Sequence, residues 1–332
     1  MPYNNYISHE RTANGSPYEE KHIIMHYAFC IVHYPDKFCF SCDFMKCNLC
    51  PRNCNTDRNE KKGVCGVGNT LKIARAAPHF WEEPCISGYG GSGTVFFSGC
   101  NLKCVFCQNH EISSGCYGKE ITVSRLKEIY AELIDSGVHN INLVTPSHYT
   151  HKILESLSEP LPVPVVWNSG GYDSTESLRQ LEGKVQIYLP DLKYLSEAPA
   201  KKYSLAPDYP DVAKKALLEM FRQVGAVEFD NDGIMEKGML IRHLMLPGEI
   251  ENTLDVIDFV SSTFGDKVIF SLMSQFTPNP QCKLPELSHT VSEEEYNKAV
   301  DYMYLCGMEN AYVQDFTSAK TEYTPPFDLS GV

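Results

Sequence analysis

From Gly91 onward, short runs of continuous apolar residues alternate with longer stretches whose apolar positions recur every three or four residues. The short runs have the length of strands buried on both faces, and the longer ones carry the helical period. Residues 93–98 (GTVFFS) predict the first such strand. Residues 124–136 predict a helix with Leu126, Ile129, Tyr130 and Leu133 on one face. Strands are then expected at 140–145, 163–168, 185–189, 239–246, 267–272 and 311–315, separated by helices at 148–157, 174–181, 211–224, 251–264 and 292–306. Glu293 and Glu294 fall in the first turn of the last helix, where its dipole favours carboxylates.

Six or seven strand–helix units in succession call for a parallel sheet with right-handed crossovers. The reading is an α/β fold, a partial (βα)6 TIM-like barrel over 91–332 whose chemistry gathers at the C-terminal strand ends. A doubly wound open sheet is the alternative. Ahead of it, residues 45–90 form a Cys-rich metal-binding extension. Residues 1–44 show neither period and are expected to be a poorly ordered extension. Met45 directly precedes the first cysteine cluster, so a native start there is one explanation, and intact mass of the native protein tests it.

The 332 residues are 43% apolar, enough for a sizeable core. Lys plus Arg number 29 against 42 Asp plus Glu, a formal charge of -13 that opposes a nucleic-acid partner. No stretch reaches the roughly 18 continuous apolar residues of a membrane span. Residues 22–42 lack a basic leader and a small-residue cleavage site. A soluble cytoplasmic protein is expected.

Fourteen cysteines change the picture, because seven fall in two tight groups: Cys47, Cys50, Cys54 and Cys65, and Cys100, Cys104 and Cys107. Such spacing reads as metal ligation in a reducing compartment. The second group, in SGCNLKCVFCQN, follows a strand directly. Three thiolates can hold three irons of a [4Fe-4S] cubane and leave the fourth iron open to an exogenous ligand such as S-adenosylmethionine. The competing reading is a zinc site that recruits Cys85, His110 or Cys116.

The C-x-x-x-C-x-x-C loop, with Phe106 before its last cysteine, resembles the radical S-adenosylmethionine superfamily. The run HFWEEPCISGYGGSGTVFFSGCNLKCVFCQNHEIS together with CNLCPRNC is similar to its pyruvate formate-lyase activating enzyme-like branch. That resemblance implies reductive cleavage of S-adenosylmethionine to a 5'-deoxyadenosyl radical, hydrogen abstraction, an external electron donor, and a glycyl radical enzyme or other protein as substrate. It also places Asp191 and Lys193 along the cofactor and matches Phe106; in the expected barrel, Thr145, Asn168 and Arg242 at the strand ends, with Gln108 of the loop, are expected to face the cofactor. Thr145 stands in TPSH, where the superfamily has a Gly-Gly-Glu type segment, so only the position carries over. Asp191 and Lys193 belong to a DLK element. Arg242 is expected either to fork onto the cofactor carboxylate or to form a buried ion pair. Gly170 and Gly171 would let backbone approach a ligand, or simply make a turn, and Gln275 would reach adenine or ribose. Glu82 and Glu83 read as a turn or cap.

Cys47, Cys50, Cys54 and Cys65 saturate a tetrahedral metal or a whole cubane, so the second site is closed. Zinc and an auxiliary [4Fe-4S] cluster both fit, with zinc the first choice. Two further function classes stand beside the enzyme: a non-catalytic iron-sulfur electron-transfer protein and a zinc-binding module.

Overall fold

The computed structural model describes residues 46–314 and 324–332; residues 1–44 and Asp315, at the end of the last predicted strand, lie outside them. Seven strands run parallel in sequence order: β2 (Ser92–Phe97), β4 (Ile141–Val144), β5 (Val165–Ser169), β6 (Ile187–Pro190), β8 (Met235–Leu244), β9 (Ile269–Met273) and β10 (Ala311–Val313). Their order never reverses, unlike that of a doubly wound sheet, and right-handed crossovers taken always in one direction put the connecting helices on one face. Each predicted strand of this series is present, within a few residues at either end.

Three strands escaped the pattern. β1 (Leu71–His79) and β3 (Lys119–Ile121) extend the sheet antiparallel beside β2, and β7 (Glu228–Phe229) pairs antiparallel with β8. β1 reads LKIARAAPH, poor in β-branched and aromatic residues, so pairing with β2 imposes its conformation where propensity does not. The helices missed are short: α1 (Pro84–Ser87), α2 (His110–Ser113) and α6 (Glu197–Ser204). The stretch expected as one helix over 148–157 begins as a 3-10 turn at Ser147–Tyr149 and continues as α4 (Thr150–Ser156).

The remaining helices follow their sequence signals. α3 (Val123–Asp135) buries Leu126, Ile129, Tyr130 and Leu133, and its N-cap Thr122 accepts from the Arg125 N–H. α5 (Thr175–Gln180) and α7 (Tyr209–Val224) follow, then α8 (Ile250–Thr263). α9 (Glu293–Leu305) opens with a Ser292/Glu295 capping box. Among the described residues no helix is long and apolar enough to cross a membrane.

The sheet has two unlike faces. Val95, Phe97, Leu143, Trp167, Tyr188, Ile241 and Phe270 pack outward into the main core under the helices. The other face is layered. At one level Val166, Ile187, Leu189, Leu240 and Ile269 close over Cys85 and Ile86 of α1. Above them polar side chains from several strands converge, and beyond those lies the cysteine loop.

Candidate metal and cofactor site

Leaving β2, the chain turns at Gly99, whose φ is +85°; a Cβ there would stand 2.8 Å from the Cys65 carbonyl oxygen, so only glycine fits. The loop from Cys100 to Cys107 takes its shape from what it docks on. Cys100 N donates to Cys65 O at 3.1 Å, Val105 N to Tyr203 O at 2.9 Å, and Asn101 Nδ2 to Tyr172 O at 2.7 Å. Cys104 Sγ lies 3.0 Å from Ser204 Oγ and Cys107 Sγ 3.2 Å from Ser113 Oγ, while Leu102 N donates to Cys100 Sγ at 3.4 Å.

Burial first, and then the neighbouring thiols Cys104 and Cys107, push Cys100 up to about 12. Burial and Cys104 raise Cys107 as well. Buried thiols raised in this way need a cationic core beside them to ionise, which is the chemistry an iron cubane supplies. Lys193 lies close enough to lower Cys107. Burial would depress this lysine, but Asp191, with its carboxylate oxygen 2.8 Å from Nζ, holds it above its ordinary range.

Among the described residues no group of three or more His, Cys, Asp and Glu side chains is gathered as a single metal ion requires. Cys85 is packed in the apolar inner layer, and Cys116 Sγ faces the carbonyls of Cys65 and Ser113. The absence of a single-ion grouping among the described residues holds for both cysteine groups; a cubane holds its thiolates farther apart than a single ion does, and the three thiols of the loop are compatible with one.

A cavity of about 220 Å³ opens from Cys104 and Cys107. Phe106, Gln108, Asn168, Asp191, Lys193 and Arg242 all line it, as does Gln275. Thr145 does not; it sits at φ +59° with its N–H donated to Asn168 O at 2.8 Å. Gly171 serves packing rather than a ligand, since a Cβ there would stand 2.3 Å from Asp191 O, and Gly170 abuts Leu102 of the loop.

Arg242 takes the buried ion pair. Its Nε donates to Asp191 Oδ1 at 2.9 Å, Nη1 to Glu82 Oε2 at 3.0 Å and Nη2 to Asn168 Oδ1 at 2.7 Å. Glu82 Oε1 also accepts from Asn142 and Asn168, each at 3.1 Å. Glu83 does occupy the N-cap position of α1, but its side chain makes no cap bond and instead accepts from Ser271 Oγ at 2.8 Å. Of the two carboxylates read as a turn or cap, Glu82 therefore lines the cavity, tied to Asn142, Asn168 and Arg242, while Glu83 is buried against Ser271. His79 also lines the cavity, its imidazole lowered by burial. The paired carboxylate beside aromatics in HFWEEP is the sequence signal that could have placed Glu82 here.

Cys47, Cys50, Cys54 and Cys65 form a knuckle closed by Cys47 N to Thr56 O at 3.0 Å and Asn55 N to Cys47 O at 3.1 Å. Burial pushes Cys50 up to about 12, and its next raising influences are Cys47, Cys65 and Cys54, so the four thiols are neighbours. Burial raises Cys65 too, opposed by the Arg58 guanidinium. Gly63 is the cradle here: a Cβ would meet Cys65 Sγ at 3.3 Å and Cys54 Sγ at 3.5 Å.

Residues 86–189 match the family model of a 4Fe-4S single cluster domain. That span includes Cys100, Cys104 and Cys107 and excludes the knuckle. An uncharacterized protein of Methanocaldococcus jannaschii, MJ0674, is 29% identical over 269 residues, which are 78% of this chain and 74% of that protein. Among solved structures, Streptococcus suis SuiB bound to S-adenosylmethionine aligns with a TM-score of 0.44 at 13% identity, over 66% of this chain and 49% of that one. Methylornithine synthase PylB aligns at 0.42 and 15%, over 64% and 68%, and the FeFe-hydrogenase maturase HydG of Carboxydothermus hydrogenoformans at 0.43 and 15%, over 64% and 50%. The chain spans about half the length of the SuiB and HydG chains.

Proposed function

We propose that the chain is a radical S-adenosylmethionine enzyme with a part-barrel fold, in which Cys100, Cys104 and Cys107 hold a [4Fe-4S] cluster. The observation that carries this reading is the opening of Cys104 and Cys107 onto one cavity with Phe106, Gln108, Asn168, Asp191, Lys193 and Arg242. A site whose ligands face a cavity leaves room for an exogenous ligand, which a closed structural site does not. Bound together, cluster and cofactor supply a one-electron cleavage of the sulfonium and a radical able to abstract hydrogen.

The protein's own residues bind and orient. Lys193 places a cation beside the thiolates, and Arg242 holds Glu82, Asn168 and Asp191 in one rigid floor. The resemblance to activating enzymes makes a glycine of a partner protein the hydrogen donor. Zinc or a second cubane would sit at Cys47, Cys50, Cys54 and Cys65.

Anaerobic reconstitution with iron and sulfide, followed by reduction with S-adenosylmethionine present, tests the reading. It is expected to yield 5'-deoxyadenosine. A reduced, iron-loaded chain that makes none overturns the enzyme reading, and a cluster EPR spectrum unmoved by S-adenosylmethionine would favour the electron-transfer protein instead.

A further inference from the structure

The cysteine loop has little internal support: within it are Cys107 N to Cys104 O at 3.3 Å and Leu102 N to Cys100 Sγ at 3.4 Å, while the amides of Cys100, Lys103 and Val105 donate outward. It docks on two surfaces, the knuckle through Cys65 O and the end of α6 through Tyr203 O and Ser204 O. One side chain joins both surfaces. Arg52, in the turn of the knuckle after Cys50, donates through Nε to Asn101 O of the loop at 2.7 Å. Through Nη1 it donates to Leu205 O at 2.5 Å, and through Nη2 to Ser204 O at 3.2 Å. Its guanidinium stands 5.2 Å over the Tyr172 ring, and Tyr172 O is the acceptor of the Asn101 side-chain amide.

The far end of this contact reaches a ligand sulfur, because Ser204 Oγ lies 3.0 Å from Cys104 Sγ and is fixed from behind by Tyr194 OH at 2.9 Å. Leu205 adopts a left-handed φ of +51°, costly for a residue with a branched side chain and sustained only by its surroundings. Arg52 supplies part of them by satisfying the last carbonyls of the helix.

We propose that the Cys47–Cys65 knuckle is a clasp for the cluster loop, with Arg52 as its positioning residue. The inference rests on the reading that Cys100, Cys104 and Cys107 hold a [4Fe-4S] cluster. The planar fork sets the distance between the first ligand's loop, at Asn101, and the Ser204 hydroxyl that meets the second ligand. Lysine keeps the charge but cannot span three carbonyls. By linkage, ordering of the knuckle then tightens the loop on its cluster, and a loaded loop orders the knuckle.

The test compares the full chain with Arg52→Ala and Arg52→Lys after anaerobic reconstitution, following the EPR signal that responds to S-adenosylmethionine and its decay under a ferrous chelator. Both variants should lose that signal about tenfold or more faster than wild type, the usual scale for partners that orient metal ligands, and their spectra should shift. Ile257→Val, a change in the core under α8, should leave decay and spectrum as in wild type. Decay and spectrum unchanged in both Arg52 variants would overturn the clasp. So would a lysine variant that behaves as wild type. A wild-type chain with no responsive signal defeats the cluster reading itself, a separate outcome.

Discussion

The knuckle and the loop are both cysteine clusters on turns, yet the fold treats them differently. The knuckle gathers four thiols, Cys54 and Cys65 about Gly63, with Cys50 and Cys65 buried and Cys47 and Cys54 half-buried. The loop turns Cys104 and Cys107 to a cavity and sets serine hydroxyls and Lys193 around them. Four thiols fill a whole ligand shell and suit a structural or electron-carrying centre, whereas three, two of them lining a cavity, leave a position for a reacting ligand.

The sharpest way to break this contrast is a pair of cysteine substitutions. Cys104→Ala should abolish both the S-adenosylmethionine-responsive EPR signal and 5'-deoxyadenosine formation. Cys50→Ala should remove the knuckle's metal but only weaken retention at the loop. Equal loss of signal in the two variants would mean that the sites are not distinct in kind.

Next in size is the floor beneath the loop. Arg242→Met leaves Glu82 buried without its cation and Asp191 with Lys193 alone, and should cost about 3–5 kcal/mol in urea unfolding. Adding Glu82→Gln should recover part of that loss. A cost near zero for the single change would show the network to be solvated.

Acid should weaken the loop side. Burial lowers His243 to about 4, while its Nδ1 lies 2.7 Å from Leu192 O and its Nε2 3.0 Å from Thr253 Oγ1. Burial likewise lowers His148, whose Nε2 lies 2.9 Å from Ser98 O just ahead of the loop, to about 3. A depressed imidazole stabilises the fold above its unfolded pKa of roughly 6.5, and that stability drains as pH falls toward the folded value. For His243 the loss is on the order of 3 kcal/mol between about pH 6.5 and 4. Urea midpoints measured down the pH scale should fall in this window, with a shallower slope in His243→Asn.

The smallest effects separate the two glycines. Gly99→Ala meets both a left-handed φ and a carbonyl at 2.8 Å, and should cost about 1–3 kcal/mol together with loop-cluster retention. Gly63→Ala meets thiols at 3.3 and 3.5 Å, and should lower knuckle metal affinity only a few-fold, read by chelator competition. The reverse ranking would place the tighter constraint in the knuckle.

Sequence alone determined the strand–helix alternation and the position of the three-thiol loop after a buried strand, within the span that matches a 4Fe-4S single cluster domain. Those are local signals: period, ligand spacing and contiguous motif are all carried within a dozen residues. Tertiary structure decided what Glu82, Arg52 and Arg242 do. Glu82 and Arg242 are 160 positions apart and Arg52 lies 153 from Leu205, and no period records such a pairing. It decided the antiparallel edge as well, since an alanine-rich segment becomes β1 only once β2 is beside it. It also turned Thr145 away from the cavity that seven other expected residues share, because direction at a strand end depends on one backbone angle rather than on residue type.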